Sequence, residues 1–195
     1  MTYKEIREQL RNFTVGIAGA GGLGSNCAVA LARSGIGKLI IVDFDIVEES
    51  NLNRQYYFYD QIGELKVDAL NDNLKRIDAE VEVEVHAVKL NEENIVDLFS
   101  ECDVVVEAFD RADMKAMIIE TVLSEMEDIK IVSGLGMAGY GNNNIIKSRQ
   151  VDSLYICGDE KSEVSDANPP LAPRVAIVAG MQANTVLEIL LRERI

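Results

Sequence analysis

Residues Gly19 to Ser25 read GAGGLGS, a run of small residues between an apolar segment and one with helical spacing. Glycines let a backbone turn tightly and approach a ligand, and a helix opening on such a turn offers unpaired N–H groups to an anion. Gly19, Gly21 and Gly24 satisfy the GxGxxG spacing, with Gly22 between them. Asp43 follows about 20 residues on, where a carboxylate can accept from ribose hydroxyls. The chemistry indicated is nucleotide binding, and on these residues alone NAD fits at least as well as ATP. Glycines that serve only close helix–strand packing are the plainer alternative, and the placement of the run between strand and helix argues against it.

The segment beyond Asp43 favours a triphosphate. Asp45 comes next, then the polar, non-helical run Ser50-Asn51-Leu52-Asn53-Arg54-Gln55, and Lys66 opens the following helix. A triphosphate carries more charge than a dinucleotide pyrophosphate. Arg54, as a planar fork, and Lys66, as a point charge, suit it. Asn51 can bond phosphate or ribose, and Asn53 belongs to the same loop. The bland reading of each cation is a solvated surface charge; their position beside the glycine turn weighs against it.

The elements that must position these groups follow from periodicity. FTVGIAG (13–19) reads as a buried parallel strand, residues 22–34 as a helix, and KLIIVDFD (38–45) as a second strand ending near Asp43. Helical spacing returns at 66–78, and VEVEVHAV (81–88) alternates as a strand with one wetter face. DVVVEAFD (103–110) brings Asp110 to a strand end, followed by a helix to about Met126 and a strand at 129–134. NIIKSRQV and SLYIC read as added strands, 158–170 as a polar loop, and 173–192 as a closing helix. The expected fold is α/β and Rossmann-like. Its mostly parallel twisted sheet has helices on both faces and added antiparallel strands toward the C-terminus, all in one domain over 1–195. Ligands of such sheets sit at the carboxyl ends of the strands, where Gly19–Gly24, Asp43 and Asp110 all fall.

Composition narrows the classes. With 48% hydrophobic residues and only three prolines, a packed core is expected and widespread disorder is not. No apolar stretch is expected to approach the roughly 20 residues that a membrane span needs. Cys27, Cys102 and Cys157 are isolated, which argues against a disulfide framework or zinc site and for a reducing, cytoplasmic address. A net charge of −14 disfavours nucleic acid and anionic lipid as partners. His86 is the sole histidine, in an alternating strand, so a histidine-dependent hydrolase is not expected. A nicotinamide oxidoreductase would need a hydride-transfer site, and no Tyr-xxx-Lys or His-based acid stands near the strand ends.

The ordered set GAGGLGS, VDFD, SNLNRQ, a lysine opening the next helix and Asp110 resembles the adenylating family of ThiF, MoeB and the E1-like ubiquitin-activating enzymes. The resemblance runs from about Phe13 to Leu191 and includes the closing PLAPRVAIVAGMQANTVLEILL. Within that family the sequence looks most like compact ThiF-type proteins. The resemblance implies that ATP is bound, with Asp43 on ribose and Arg54 and Lys66 on phosphates. Asp110 would hold Mg²⁺ near the α-phosphate. The substrate implied is a ubiquitin-fold sulfur carrier ending in Gly-Gly, of the ThiS kind and used in thiamine biosynthesis, adenylated on its terminal carboxylate. Alternatives within the family are a molybdopterin-synthase carrier and a modified tRNA nucleoside; outside it, a non-catalytic carrier-binding module. A homodimer is implied by the resemblance too.

Three departures stand out. The paired CxxC zinc ligands of many relatives are missing, so no structural zinc is expected. The N-terminal arginine that often reaches the partner's site has only Arg7 and Arg11 as candidates. After Asp110 the sequence runs Arg-Ala-Asp rather than the usual Asn-containing run. Some relatives use a cysteine near Cys157 to capture the activated carrier, and a thiolate there would attack an acyl-adenylate. A small buried apolar residue is the competing reading of Cys157, and packing is the expected role of Cys27 and Cys102.

Overall fold

A computed structural model describes residues 1–192; the last three residues of the expected domain lie outside it. Three continuous apolar runs make the centre of the sheet: β1 (Thr14–Ala18), β2 (Lys38–Val42) and β4 (Val104–Glu107). Such runs have no polar face, so both sides must be covered. Four further strands are β3 (Glu82–His86), β5 (Lys130–Gly134), β6 (Lys147–Val151) and β7 (Leu154–Gly158). Together they form one seven-stranded sheet in the order β3-β2-β1-β4-β5-β7-β6. Every neighbouring pair is parallel except β6–β7. The mixed α/β expectation therefore holds, with β6 an exposed antiparallel edge.

The strand order reverses at β1, so the β1 and β4 ends splay apart and leave the crevice in which such sheets bind ligands. One face is covered by α1 (Tyr3–Leu10), α2 (Gly22–Ser34), α3 (Lys66–Ile77) and α6 (Ala172–Arg192), which share a core with the inner strands. The other face is covered by α4 (Glu92–Phe99) and α5 (Ala112–Glu125) over a smaller core that includes Phe99, Ile118 and Val122. Helix α4 is an addition to the sequence reading. Asn91 caps it by accepting from the Asn94 amide, and Ile95 and Phe99, one turn apart, are its buried face.

One expectation changes. Helix α6 is long and apolar enough to cross a membrane by length and composition, and about half of its residues are buried within the protein. Its apolar character is used internally, against α2, β5 and β7. Cys157 lies inside β7, within the SLYIC run read as a strand, and the β6–β7 ladder runs on to Gly158.

Candidate functional site

The glycine turn is built by close approach. Gly19 takes φ +98°, and a Cβ there would stand 3.1 Å from the Ala108 carbonyl oxygen at the end of β4. A Cβ at Gly24 would fall 1.8 Å from the Gly19 carbonyl oxygen, so only glycine lets α2 sit this near its own strand. The first turn of α2 has no side-chain cap, which leaves its N–H groups facing the cleft. Ser25 ties the turn to the polar loop: its hydroxyl donates to the Gly21 carbonyl at 2.6 Å and accepts the Tyr56 amide at 3.0 Å.

Asp43, just past β2, is braced twice. One carboxylate oxygen accepts the Ala20 amide at 2.7 Å, and the other accepts the Asp45 amide at 2.8 Å. Burial raises the Asp43 pKa, against the lowering by these amides and Lys66. Each oxygen keeps a further lone pair for a ligand. Tyr57, buried beneath, donates to the Ala20 carbonyl at 2.7 Å and so fixes the turn from below.

The cations divide. Lys66 is almost wholly buried and its ammonium is bonded to the half-exposed Asp45 carboxylate at 2.9 Å. Arg54 meets only neutral acceptors among the described residues, the Ser50 carbonyl at 3.1 Å and the Asn53 side-chain oxygen at 2.8 Å. Its charge is thus uncommitted. Asn53 is exposed and orients Arg54, while Asn51 is buried, accepting the Glu48 amide at 3.1 Å and so shaping the loop itself.

These groups line a cleft of about 530 Å³ that runs from the glycine turn past Asp43, Asp45, Arg54 and Lys66 to Asp110. Val42, Phe44, Val88, Leu90, Phe109 and Met114 give it an apolar section suited to a nucleobase. Lys89, Arg111 and Gln55 also line it and were not singled out from the sequence. Met137, Val164 and Pro170 close it from the loops around β7, and Val175 of α6 adjoins them. Asp110 is exposed at its wall, and among the described residues no three His, Cys, Asp or Glu side chains gather as a metal site.

Two buried ion pairs flank the cleft. Glu107, wholly buried, accepts from Lys115 at 3.0 Å on both oxygens. Asp159 and Arg174, each only 5% exposed, pair between the end of β7 and the first turn of α6. Asp159 also accepts the Lys161 and Ser162 amides, and Arg174 donates to the Gly141 carbonyl. Burial would raise the Asp159 pKa, but these donors outweigh it and hold the carboxyl below its ordinary value. The sequence signals were a lone acid inside the apolar run VVVE and an arginine inside the apolar PLAPRVAIV.

Other candidates stand apart from the cleft. The Cys157 thiol is fully buried, shares a 3.6 Å contact with the Thr185 hydroxyl, and burial raises its pKa, so its surroundings do not favour the thiolate. Arg7 and Arg11 both donate to Asp78, at 2.9 and 2.8 Å, and so clamp α1 to the end of α3 within one chain. Both guanidinium groups are thus engaged within the chain. His86 bonds Glu84 at 2.8 Å, at the end of the edge strand β3.

Comparison with known proteins accords with this geometry. The chain is 32% identical over 190 residues to adenylyltransferase and sulfurtransferase MOCS3 of Caenorhabditis briggsae, covering 94% of this chain and 47% of that protein. It is 31% identical over 211 residues to ubiquitin-like modifier-activating enzyme 5 of Xenopus laevis, covering 96% and 53%. The chain thus spans about half the length of these relatives. In fold it is similar to tRNA N6-threonylcarbamoyladenosine dehydratase, TcdA, of E. coli, solved with AMP. The TM-score is 0.87 at 20% identity, over 98% of this chain and 91% of that one. The sequence pattern of the ThiF family matches residues 2–194, and the chain belongs to that family.

Proposed function

We propose that the chain binds ATP in this cleft and transfers AMP to the C-terminal glycine carboxylate of a ubiquitin-fold sulfur carrier of the ThiS kind, releasing pyrophosphate. The observation that carries this is the meeting of an uncapped helix N-terminus, a braced carboxylate and the uncommitted Arg54 in one cleft. Support comes also from relatives whose names describe adenylyltransferases and ubiquitin-like modifier activation.

The attacking carboxylate is ionised at neutral pH, so no general base is required. The barrier lies in repulsion between anions and in alignment. Backbone amides of α2 and Arg54 offset charge that builds on the phosphates, while Asp43 fixes the sugar and sets the approach line. Lys66 is held by Asp45 and reaches phosphate by exchanging that carboxylate for a ligand oxygen. Magnesium is commonly held by one or two carboxylates with phosphate oxygens and waters, a demand that Asp110 at the cleft wall fits; when bound it neutralises phosphate charge. The carrier tail enters beside Met137, Val164 and Pro170. The carrier belongs to thiamine biosynthesis in a reducing compartment, and the enzyme acts as a homodimer through the outer face of α6, where Ile177 is 39% exposed.

Carrier-dependent ATP–pyrophosphate exchange tests the reading. We expect exchange with a purified Gly-Gly-ending carrier and none when its last glycine is removed. ATP binding without exchange for any carrier overturns it and favours a tRNA or small-molecule acceptor.

A further inference from the structure

Glu107 ends β4 with its side chain turned away from the cleft into the protein. Beyond the two Lys115 contacts, its carboxylate accepts the Phe109 amide at 2.7 Å and the Ser133 hydroxyl at 2.5 Å. Lys115 makes a further bond to the Gly134 carbonyl at 2.7 Å. From α6, Gln182 donates to the Glu107 carbonyl at 2.8 Å and to the Val132 carbonyl at 3.2 Å. Three elements, β4, α5 and β5, therefore meet on one carboxylate, and α6 holds the main-chain carbonyl of the same residue. Burying a charge pair is costly, and apolar residues of similar volume often pack as stably, so stability alone is weak ground for this arrangement.

What the pair can supply is position. Phe109 is the residue between Ala108, which abuts the glycine turn, and Asp110, which lines the cleft. Ala108 is bonded to the Ala18 carbonyl at 3.0 Å, and its own carbonyl limits the side chain tolerated at Gly19. The 108–110 turn is thus held on one side by the glycine turn and from beneath by Glu107. A carboxylate at this place takes one backbone amide and two side-chain donors at once, which an amide side chain with a single acceptor oxygen cannot do.

We propose that Glu107, Lys115 and Ser133 are positioning residues for the adenylation step: they fix the 108–110 turn and through it the place of Asp110 relative to the glycine turn. None of the three lines the cleft. This rests on the adenylation reading above.

The test compares Ser133→Ala, Glu107→Asp and the double variant Glu107→Asp/Lys115→Arg, in which a longer base compensates a shorter acid. Hydrogen exchange of a peptide spanning 107–111 reads the turn, calorimetry with ATP reads nucleotide affinity, and carrier-dependent pyrophosphate exchange reads kcat. For Glu107→Asp we expect turn amides to exchange about tenfold faster and kcat to fall about tenfold, with the Kd for ATP changed less than about threefold. The double variant regains most of both losses. Ser133→Ala, which leaves no charge unpaired, gives the same pattern at about threefold and carries the test if Glu107→Asp does not fold. An unchanged turn in folded variants, or a loosened turn with wild-type kcat, overturns the proposal and leaves the adenylation reading standing. Absence of exchange in the wild type overturns that reading and this one with it.

Discussion

At one end of the cleft the walls are backbone: a glycine turn, an uncapped helix start and amides gathered on Asp43. At the other end, the crossover from β7 to α6 packs against the β5–β6 loop, in which Gly136, Gly139, Gly141 and Asn142 take positive φ. Those loops are fastened by a buried pair, Asp159 and Arg174. The first end pairs Lys66 with Asp45 but keeps Arg54 uncommitted. The second consumes its nearest cation in holding itself together. Charge near a ligand site is therefore no guide to use; what matters is whether the structure has already claimed it. Substitutions should separate the two ends, with stability lost at the crossover and ligand affinity lost at the glycine turn.

The largest effect expected is at the crossover. Arg174→Ala strands a buried carboxylate and should cost about 3–5 kcal/mol in urea unfolding, with nucleotide affinity preserved in the folded fraction. Wild-type stability would erase the contrast between the ends. Arg54→Ala should do the reverse. It forfeits charge-assisted hydrogen bonds of about 1.5–3 kcal/mol, roughly a 10- to 150-fold rise in the Kd for ATP by calorimetry, with an unchanged melting temperature.

Gly24→Ala sharpens the comparison because it acts on both properties. Its Cβ would overlap the Gly19 carbonyl, so α2 must shift. Overpacking should cost about 1–3 kcal/mol, and ATP affinity should fall in the same variant.

Acid should affect the crossover as well. Donors hold Asp159 below its ordinary value despite burial, and Arg11 and Arg7 with the Glu80 amide do the same for Asp78. A carboxylate whose folded pKa is depressed contributes stability that is fully present above its unfolded pKa. That contribution is lost as pH falls through the folded value. Unfolding midpoints should therefore hold from neutral pH to the ordinary carboxylate range and drop below it, and Asp159→Asn should flatten that drop. The smallest effect belongs to Cys157→Ala. Pyrophosphate exchange should persist, with about 1 kcal/mol lost from the core; abolished exchange in folded protein would restore the thiol to the chemistry.

The glycine-turn end was legible because its signals are local. A glycine run between strand and helix has one geometric meaning, and Asp43 stands where the next strand must end. The parallel core was equally plain from its apolar runs. Helix α4 escaped because it is short, although the Asn91 cap and the Ile95–Phe99 spacing were present in the sequence. The pairs Glu107–Lys115 and Asp159–Arg174 escaped for another reason: each joins different elements, and only the folded sheet brings the partners together. Arg7 and Arg11 show the same limit, since their partner Asp78 lies beyond three intervening elements.

Under the proposed function, the double bracing of Asp43 has a consequence for how the cleft would read a sugar. Its two oxygens each accept an N–H on one lone pair, so a proton on either must take the remaining lone pair, the one left for a ligand. Loss of the anion would therefore weaken the bracing of the turn and block a ligand hydroxyl in a single event. The same bracing rules out the nearest isostere. Asparagine offers one acceptor where two are in use and turns its NH₂ toward a backbone donor, so Asp43→Asn should weaken ATP and 2′-deoxy-ATP alike, whereas a carboxylate that met only the ribose would be missed by one nucleotide more than the other.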